Sequence, residues 1–421
     1  MIMDSIISRK DVHAQLEKIV SADILVGIPS YNNAKTIGHV VSAVQAGLAK
    51  YFPDRKAVLV NSDGGSTDGT IDVVNQAGIE DFQSILLYHR VEPFFKIVTP
   101  YIGLPGKGSA FRSIFEIAVA LNVKACAVVD SDLRSITPEW IELLIKPVLE
   151  GGFDYVAPLY HRHKYDGTIT NSIVYPLTRA LYGKRVRQPI GGDFGFSGRL
   201  AKFYLSKDVW QTDIARYGID IWMTTEAIAN NFKVAQSFLG AKIHDPKDPG
   251  ADLSAMLAQV TGSAFGLMET YKDVWKGVRS SESVPTFGFR YTVGLEQVNA
   301  NVERMLSIFR AGLKDLRQIW LEVLGAGDLG EVESLNTRSD RDFRFPMRLW
   351  TSIVYDYALA YHKRKLPHGH LLKSLTPLYL GKTASFVMEA KDMGQDEAEG
   401  EIEKLCLEFE SSKEHLNNNW K

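Results

Sequence analysis

Asp130 and Asp132 stand two positions apart just past the apolar run Ala125–Val129. On an extended chain residues i and i+2 face the same way. The two carboxylates would therefore converge beyond the end of a buried strand, where like charges repel. A divalent cation sharing phosphate oxygens relieves that repulsion, and oxygen ligands suit Mg2+ or Mn2+. The plainer alternative is one capping and one solvated aspartate. His244 follows the short strand-like piece at Ala241 and is the candidate third ligand, whereas His161, His163, His368 and His370 read as surface residues. Lys107 lies between Gly106 and Gly108, directly before an amphipathic stretch. A lysine at a helix N-terminus suits an anion, since amides and dipole both favour negative charge there. The spacing is not that of a P-loop.

Three further turns complete the set. Asn61–Thr70 carries Asp63, placed to accept hydrogen bonds from a base, then glycines for close approach and Ser66 or Thr67 to cap the next helix. Pro29–Asn33 is rich in turn formers. Gln188–Phe194 is a glycine-bearing turn ending in Asp193, and Tyr217–Asp220 precedes an amphipathic helix from Ile221 to Asn230.

The elements that must carry these residues are short apolar runs alternating with helical patterns. Ile24–Ile28, Ala57–Val60, Ser84–Tyr88, Ala125–Val129 and Tyr155–Leu159 read as strands; Thr36–Lys50, Thr70–Ala77 and Gly108–Leu121 read as helices. Repetition of strand, turn and helix predicts an α/β fold with a mostly parallel sheet, whose ligands sit beyond the carboxyl ends of the strands. From about Leu253 the strand runs stop, and Leu253–Trp275, Gly294–Leu324, Phe345–Arg364 and Gly369–Met388 have helical spacing. Gln395–Glu414 is an acidic helix whose Ile402, Leu405, Cys406 and Phe409 form one stripe, expected to dock on the chain's own core or on a partner.

Composition excludes several classes. The chain has 421 residues, 45% apolar and 23% charged, with 48 basic against 50 acidic side chains. That balance predicts no nucleic-acid partner, which would call for a basic surplus. Cys126 and Cys406 read as reduced thiols, and no run is long enough for a membrane span, so a cytoplasmic location is expected.

In order and type, the motifs resemble those of GT-A nucleotide-sugar glycosyltransferases over residues 23 to about 250. Three features, Pro105–Gly108, Gln188–Asp193 and Tyr217–Asp220 followed by His244, are similar to the retaining glucosyl-3-phosphoglycerate and mannosylglycerate synthases. A looser similarity reaches the helical region around Phe345–Trp350. The resemblance implies a GT-A domain over residues 1–252 and a helical C-terminal region over 253–421. It implies that Pro29, Tyr31, Asn32 and Asp63 hold the nucleoside, that Gly106 and Lys107 meet the diphosphate, and that Asp130 or Ser131 lies near the ribose. Asp132 and His244 would ligate Mg2+ or Mn2+; Ile190, Gly191, Gly192 and Asp193 would cradle the donor sugar. Lys107 and Asp220 would be the catalytic residues, with Asp220 orienting groups at the reacting centre. Arg162, Thr168, Thr170 and Tyr217 would bind the acceptor.

Where that family pairs its threonine with an arginine, Gly167–Thr170 has none, which favours free glycerate or another small hydroxy acid over 3-phosphoglycerate. Arg162 or Lys164 could still supply the cation. The expected reaction moves glucose or mannose from a UDP- or GDP-sugar to such an acid, in a homo-oligomer, a dimer or tetramer. The rivals are a polysaccharide-type inverting family 2 transferase, a sugar nucleotidyltransferase and a nucleotide-binding scaffold. The late histidine speaks against the first rival, the Pro29–Asn32 turn in place of a glycine- and arginine-bearing loop against the second, and the intact charged set against the third.

Overall fold

The computed structural model describes residues 5–77, 95–216, 218–243, 253–291 and 294–421. Its contacts divide the chain into two units. The first holds Met1–His161, Ile190–Asp245 and Val284–Gly294; the second holds Arg162–Pro189, Pro246–Ser283 and Leu295–Lys421. The segment Arg162–Pro189, expected to belong with the first region, thus groups with the second unit.

The first unit is built on one sheet. Its strands are β1 (Ile24–Ser30), β2 (Ala57–Asp63), β3 (Phe95–Pro100), β4 (Ala125–Val128), β5 (Tyr155–His161), β7 (Phe194–Ser197), β8 (Val234–Ala241) and β10 (Thr286–Phe287). The two remaining short strands, β6 (Lys184–Arg185) and β9 (Glu282–Ser283), pair with each other in the second unit. The main sheet runs β10-β8-β5-β7-β4-β1-β2-β3 and is parallel except where β7 runs against β4 and β5. β1 and β2 are buried along their whole length, as strands covered on both faces should be. Pro29 fits inside β1 because the β4 ladder has already ended at Gly27 and Val128, so its missing N–H falls past that ladder.

One apolar core lies on one face of the sheet, where Val40, Val44 and Leu48 of helix Ile37–Tyr51 meet Trp140, Ile141 and Leu144 of helix Pro138–Leu149 over Ile24, Val26 and Ala127. The strands expected at Ile24, Ala57, Ala125 and Tyr155 and the helices from Thr36, Thr70 and Gly108 all form, within a few residues at each end. The strand expected at Ser84–Tyr88 lies outside the described residues. Strand runs do not stop at Leu253: β9 and β10 come after it, and β10 adds to the main sheet beside β8.

The second unit is helical. Helices Ser254–Thr270, Val302–Asp315, Met347–His362, Thr376–Glu389 and Gln395–Ser411 are its longest among the described residues. The helix expected from Gly294 begins only at Val302, and the stretch from Gly369 breaks at Leu375 into two helices. Trp320, Trp350, Tyr355, Tyr357 and Tyr379 are fully buried. The acidic helix docks its stripe inside this unit: Ile402 and Cys406 cluster with Tyr175 and Phe386, and Tyr355 Oη donates to Phe409 O. Among the described residues no helix is long and apolar enough to cross a membrane.

Candidate active site

The carboxyl ends of the parallel strands hold a chain of alternating charges. Lys107 opens helix Lys107–Ala120 and extends its Nζ to Asp130 Oδ1 at 2.7 Å and Asp220 Oδ1 at 3.2 Å. Asp130 follows β4, and its other oxygen, Oδ2, accepts from Lys242 Nζ at 2.7 Å. Lys242 follows β8 and also donates to Asp193 Oδ2 at 2.7 Å and Gly191 O at 2.8 Å. Asp193 Oδ1 in turn accepts from the Asp130 amide at 2.8 Å, and Tyr160 Oη donates to Asp193 Oδ2. Asp220 sits in the first turn of helix Ile219–Ala229, where the helix dipole favours a carboxylate.

Three carboxylates and two ammonium groups share this buried site, so one negative charge is left over. Burial would raise the Asp130 pKa, but Lys107 and Lys242 on either side hold it far below the usual carboxylate range. Burial would also lower Lys107, yet Asp130 and Asp220 outweigh it and keep the ammonium charged. Asp220 is raised, first by burial and next against the pull of Lys107. Asp193 is raised too, again by burial ahead of the opposing Lys242.

Backbone geometry explains the glycines. Gly192 has φ +91°, and a Cβ there would lie 2.2 Å from Asp130 Oδ2, so only glycine lets the turn reach this carboxylate. A Cβ on Gly108 would stand 2.2 Å from Ile214 O, and the Gly108 amide donates to Arg216 O at 3.3 Å. The Gly106 amide donates to Tyr101 Oη at 3.0 Å. The glycines beside Lys107 thus admit the segment Ile214–Arg216, and two amides expected to face an anion are bonded within the chain. The lysine side chain itself is turned to Asp130 and Asp220.

The predicted nucleoside residues gather at the ends of β1 and β2. Tyr31 is 63% exposed with its ring against Gly64, which leaves an aromatic face to solvent. Asn32 adopts φ +53° and ties the two turns together, its amide donating to Ser66 Oγ and its Oδ1 accepting from the Thr67 amide. Asp63 differs from expectation. It is 1% exposed and accepts from Ser30 Oγ, the Gly65 and Ser66 amides and Ser66 Oγ, all within 2.9 Å. About four lone-pair sites exist on a carboxylate, so Asp63 shapes the turn and has none left for a base. Ser66 is consumed there, and Asp68 rather than Ser66 or Thr67 accepts from the Thr70 amide at the helix start.

Asp193 likewise departs from its expected part. It is fully buried and bonded to the Asp130 amide, Tyr160 and Lys242, so it anchors the turn instead of presenting an open carboxylate to a sugar. Ile190 is the half-buried member of that turn, while Gly191 is buried. Asp130 and Asp132 do not form a matched pair either. β4 ends at Val128, so strand alternation no longer governs them, and Asp130 is occupied by two lysines. Ser131 Oγ donates to Asn33 Oδ1, and its carbonyl accepts from Thr36 Oγ1.

The Asp132 carboxylate, half-buried, has no hydrogen bond or ion pair among the described residues and is thereby open to an oxygen-seeking cation. Among the described residues no group of three or more His, Cys, Asp or Glu side chains converges. His244 and Tyr217 lie outside the described residues.

Arg162, Thr168 and Thr170 belong to the second unit. Arg162 contacts Asp166, and Thr168 shares a hydrogen bond with Tyr379; Thr168 and Thr170 are each under a tenth exposed. The Thr168 hydroxyl is thereby engaged by Tyr379 within that unit. Sequence reasoning missed Lys242 and Tyr160 as members of the charge network. Lys242 stands in plain view two positions before His244, but nothing local marks a lysine as the partner of residues 49 and 112 positions away.

A mostly parallel sheet whose strand ends carry an aspartate turn and a glycine-flanked lysine makes an α/β domain with its charged cluster at the sheet's carboxyl edge. Residues 25–210 match the model of glycosyl transferase family 2. No curated protein matches the chain. Among solved structures it is similar to glucosyl-3-phosphoglycerate synthase from Mycobacterium tuberculosis. The complex of that protein with Mn2+, UDP and glucosyl-3-phosphoglycerate is 20% identical, covering 64% of this chain and 88% of that one, with a TM-score of 0.44. The complex with Mn2+ and UDP-glucose is 21% identical, covering 62% and 83%, with a TM-score of 0.45. At such scores the likeness assigns no substrate, metal or residue role to this chain.

Proposed function

We propose that the protein is a retaining, divalent-metal-dependent hexosyltransferase that moves glucose or mannose from a UDP- or GDP-sugar to D-glycerate or a similar small hydroxy acid. The observation that carries this reading is Lys107 held between Asp130 and Asp220 at the sheet's carboxyl ends, with Lys107 and Asp130 inside the segment that matches the glycosyltransferase model and close in sequence to the uncommitted Asp132. The open Asp132 carboxylate suits an oxygen-liganded cation, and His244 is the second ligand proposed from sequence. A divalent cation bound there supplies charge neutralisation to the departing diphosphate.

The chain's own residues do the rest. Lys107 presents a permanent cation to the β-phosphate as the anomeric C–O bond breaks, where preorganised charge lowers the barrier most. The acceptor hydroxyl attacks from the face the phosphate leaves. Its oxygen bonds to the anomeric carbon, and its proton passes to the released phosphate oxygen. Asp220, buried and already paired with Lys107, orients the groups and forms no sugar ester. Tyr31 offers an exposed ring on which a base can stack.

A thermal-shift panel of UDP and GDP, each with and without Mn2+, tests the donor half. A ligand at 100 times its dissociation constant adds roughly 2.7 kcal/mol to the native state. A Mn2+-dependent shift with one nucleotide is expected. If neither nucleotide shifts the transition with Mn2+ present, the donor-site reading fails. Transfer from the matching nucleotide sugar to glycerate, with the product's anomeric configuration read by NMR, tests the rest. Inversion would move the protein to the polysaccharide-type class.

A further inference from the structure

Lys242 has no donor to spare and makes the shorter contacts of the two lysines. Its ammonium carries three N–H groups, and three acceptors take them: Asp130 Oδ2, Asp193 Oδ2 and Gly191 O, all at 2.7–2.8 Å. Its side chain is 4% exposed against 19% for Lys107. The two lysines therefore do different work on the same carboxylate. Lys107 stands toward the opening and is shared with Asp220, while Lys242 is sealed behind Asp130 with the Tyr160 ring 5.3 Å away.

The acceptors of Lys242 come from two separate turns. Asp130 belongs to the turn after β4, whereas Gly191 and Asp193 belong to the turn before β7. Gly192, between them, already packs so close to Asp130 that a Cβ would fall within 2.9 Å of Lys242 Nζ. Without the ammonium, Asp130 and Asp193 would be left facing each other while buried, and separation of the turns is the cheapest relief.

We infer that Lys242 is a positioning residue that clamps the Ile190–Asp193 turn onto Asp130 and so sets the place of the donor sugar without touching it. This rests on the proposed donor site. Lys107 also reaches this turn, at Gly192 O over a longer 3.4 Å, but it is the less buried lysine and is shared with Asp220. A lysine that merely stabilised the fold would affect nucleotide and nucleotide sugar alike.

The experiment uses the full-length chain and two measurements. The first needs no ligand: a thermal double-mutant cycle of Lys242→Met and Asp193→Asn. Loss of a buried counter-ion is expected to lower Tm by about 10 °C in Lys242→Met, and the double variant should recover at least half of that loss. Additive losses would show that the clamp does not exist. The second measurement takes the nucleotide diphosphate that binds the wild-type protein with Mn2+ and compares it with its nucleotide sugar, using Lys242→Met or, where that variant does not fold, Lys242→Arg. The diphosphate should bind within about threefold of wild type, while kcat with the nucleotide sugar falls at least 30-fold. Equal losses for both ligands, or wild-type turnover, would overturn the inference. Absence of nucleotide binding by the wild-type protein would instead sink the donor-site reading and the sugar-placing role with it, whatever the thermal cycle shows of the clamp.

Discussion

Both units bury charge, but they arrange it differently. In the helical unit, Arg179 is fully buried between Glu403 and Glu410, and Arg187 pairs with Glu399. Each of these cations meets a carboxylate of helix Gln395–Ser411 that keeps some contact with solvent. Such pairs pin a helix and leave nothing to react. In the sheet unit, five ionisable groups alternate at the strand ends with an acid in excess, and the positive member nearest the opening is shared by two carboxylates. Separate ion pairs hold a helix in place, whereas a surplus charge held between lysines suits a cation or a developing charge.

The comparison breaks most visibly at Asp132. Asp132→Ala removes a carboxylate with no partner among the described residues, so it should leave Tm nearly unchanged and lower transfer by about 100-fold or more. Near-wild-type kcat at saturating Mn2+ would detach Asp132 from the metal. Arg179→Met is the mirror case. It should cost about 2 kcal/mol in urea unfolding, because hydrogen bonds to charged groups are lost although the two glutamates can reach water. Its nucleotide affinity should match wild type, and a tenfold change there would mean that the two kinds of charge are not separable.

The smallest effect concerns Lys413, whose Nζ donates to Trp275 O and Val278 O inside the helical unit. Burial, with Arg279 adding repulsion, pushes its pKa down to about 8. The unfolded lysine titrates near 10.4, so the unfolded chain binds more protons between these values and stability must rise with pH across that window. Below pH 8 the penalty is fully present. Denaturant midpoints at pH 7.5 and pH 10 should differ less in Lys413→Met than in the wild-type protein; an equal difference would locate the effect elsewhere.

Much of the fold was legible because it is local. β1, β2, β4 and β5 are largely apolar runs bounded by turn formers, and the helices between them show their buried faces as periodicity. β7, and β8 apart from its end at Ala241, were not legible. Phe194–Ser197 is four residues with a glycine, and Val234–Ala241 mixes Gln, Ser and Gly into a strand that is nonetheless wholly buried. Their place depends on β5 and β4 lying beside them, a tertiary fact.

The candidate site divides along the same line. Residue order alone put Asp130, Asp132 and Lys107 at the ligand-binding edge, because a parallel sheet gathers the residues after its strands at one edge. Tertiary structure decided what each carboxylate faces. Asp63 and Asp193 look like open acids in sequence, yet one is consumed by its own turn and the other by Lys242, Tyr160 and a distant amide. Charge neutralisation acts over a few ångströms whatever the separation along the chain, and only the order of the strands brings residues 130, 193 and 242 within that distance.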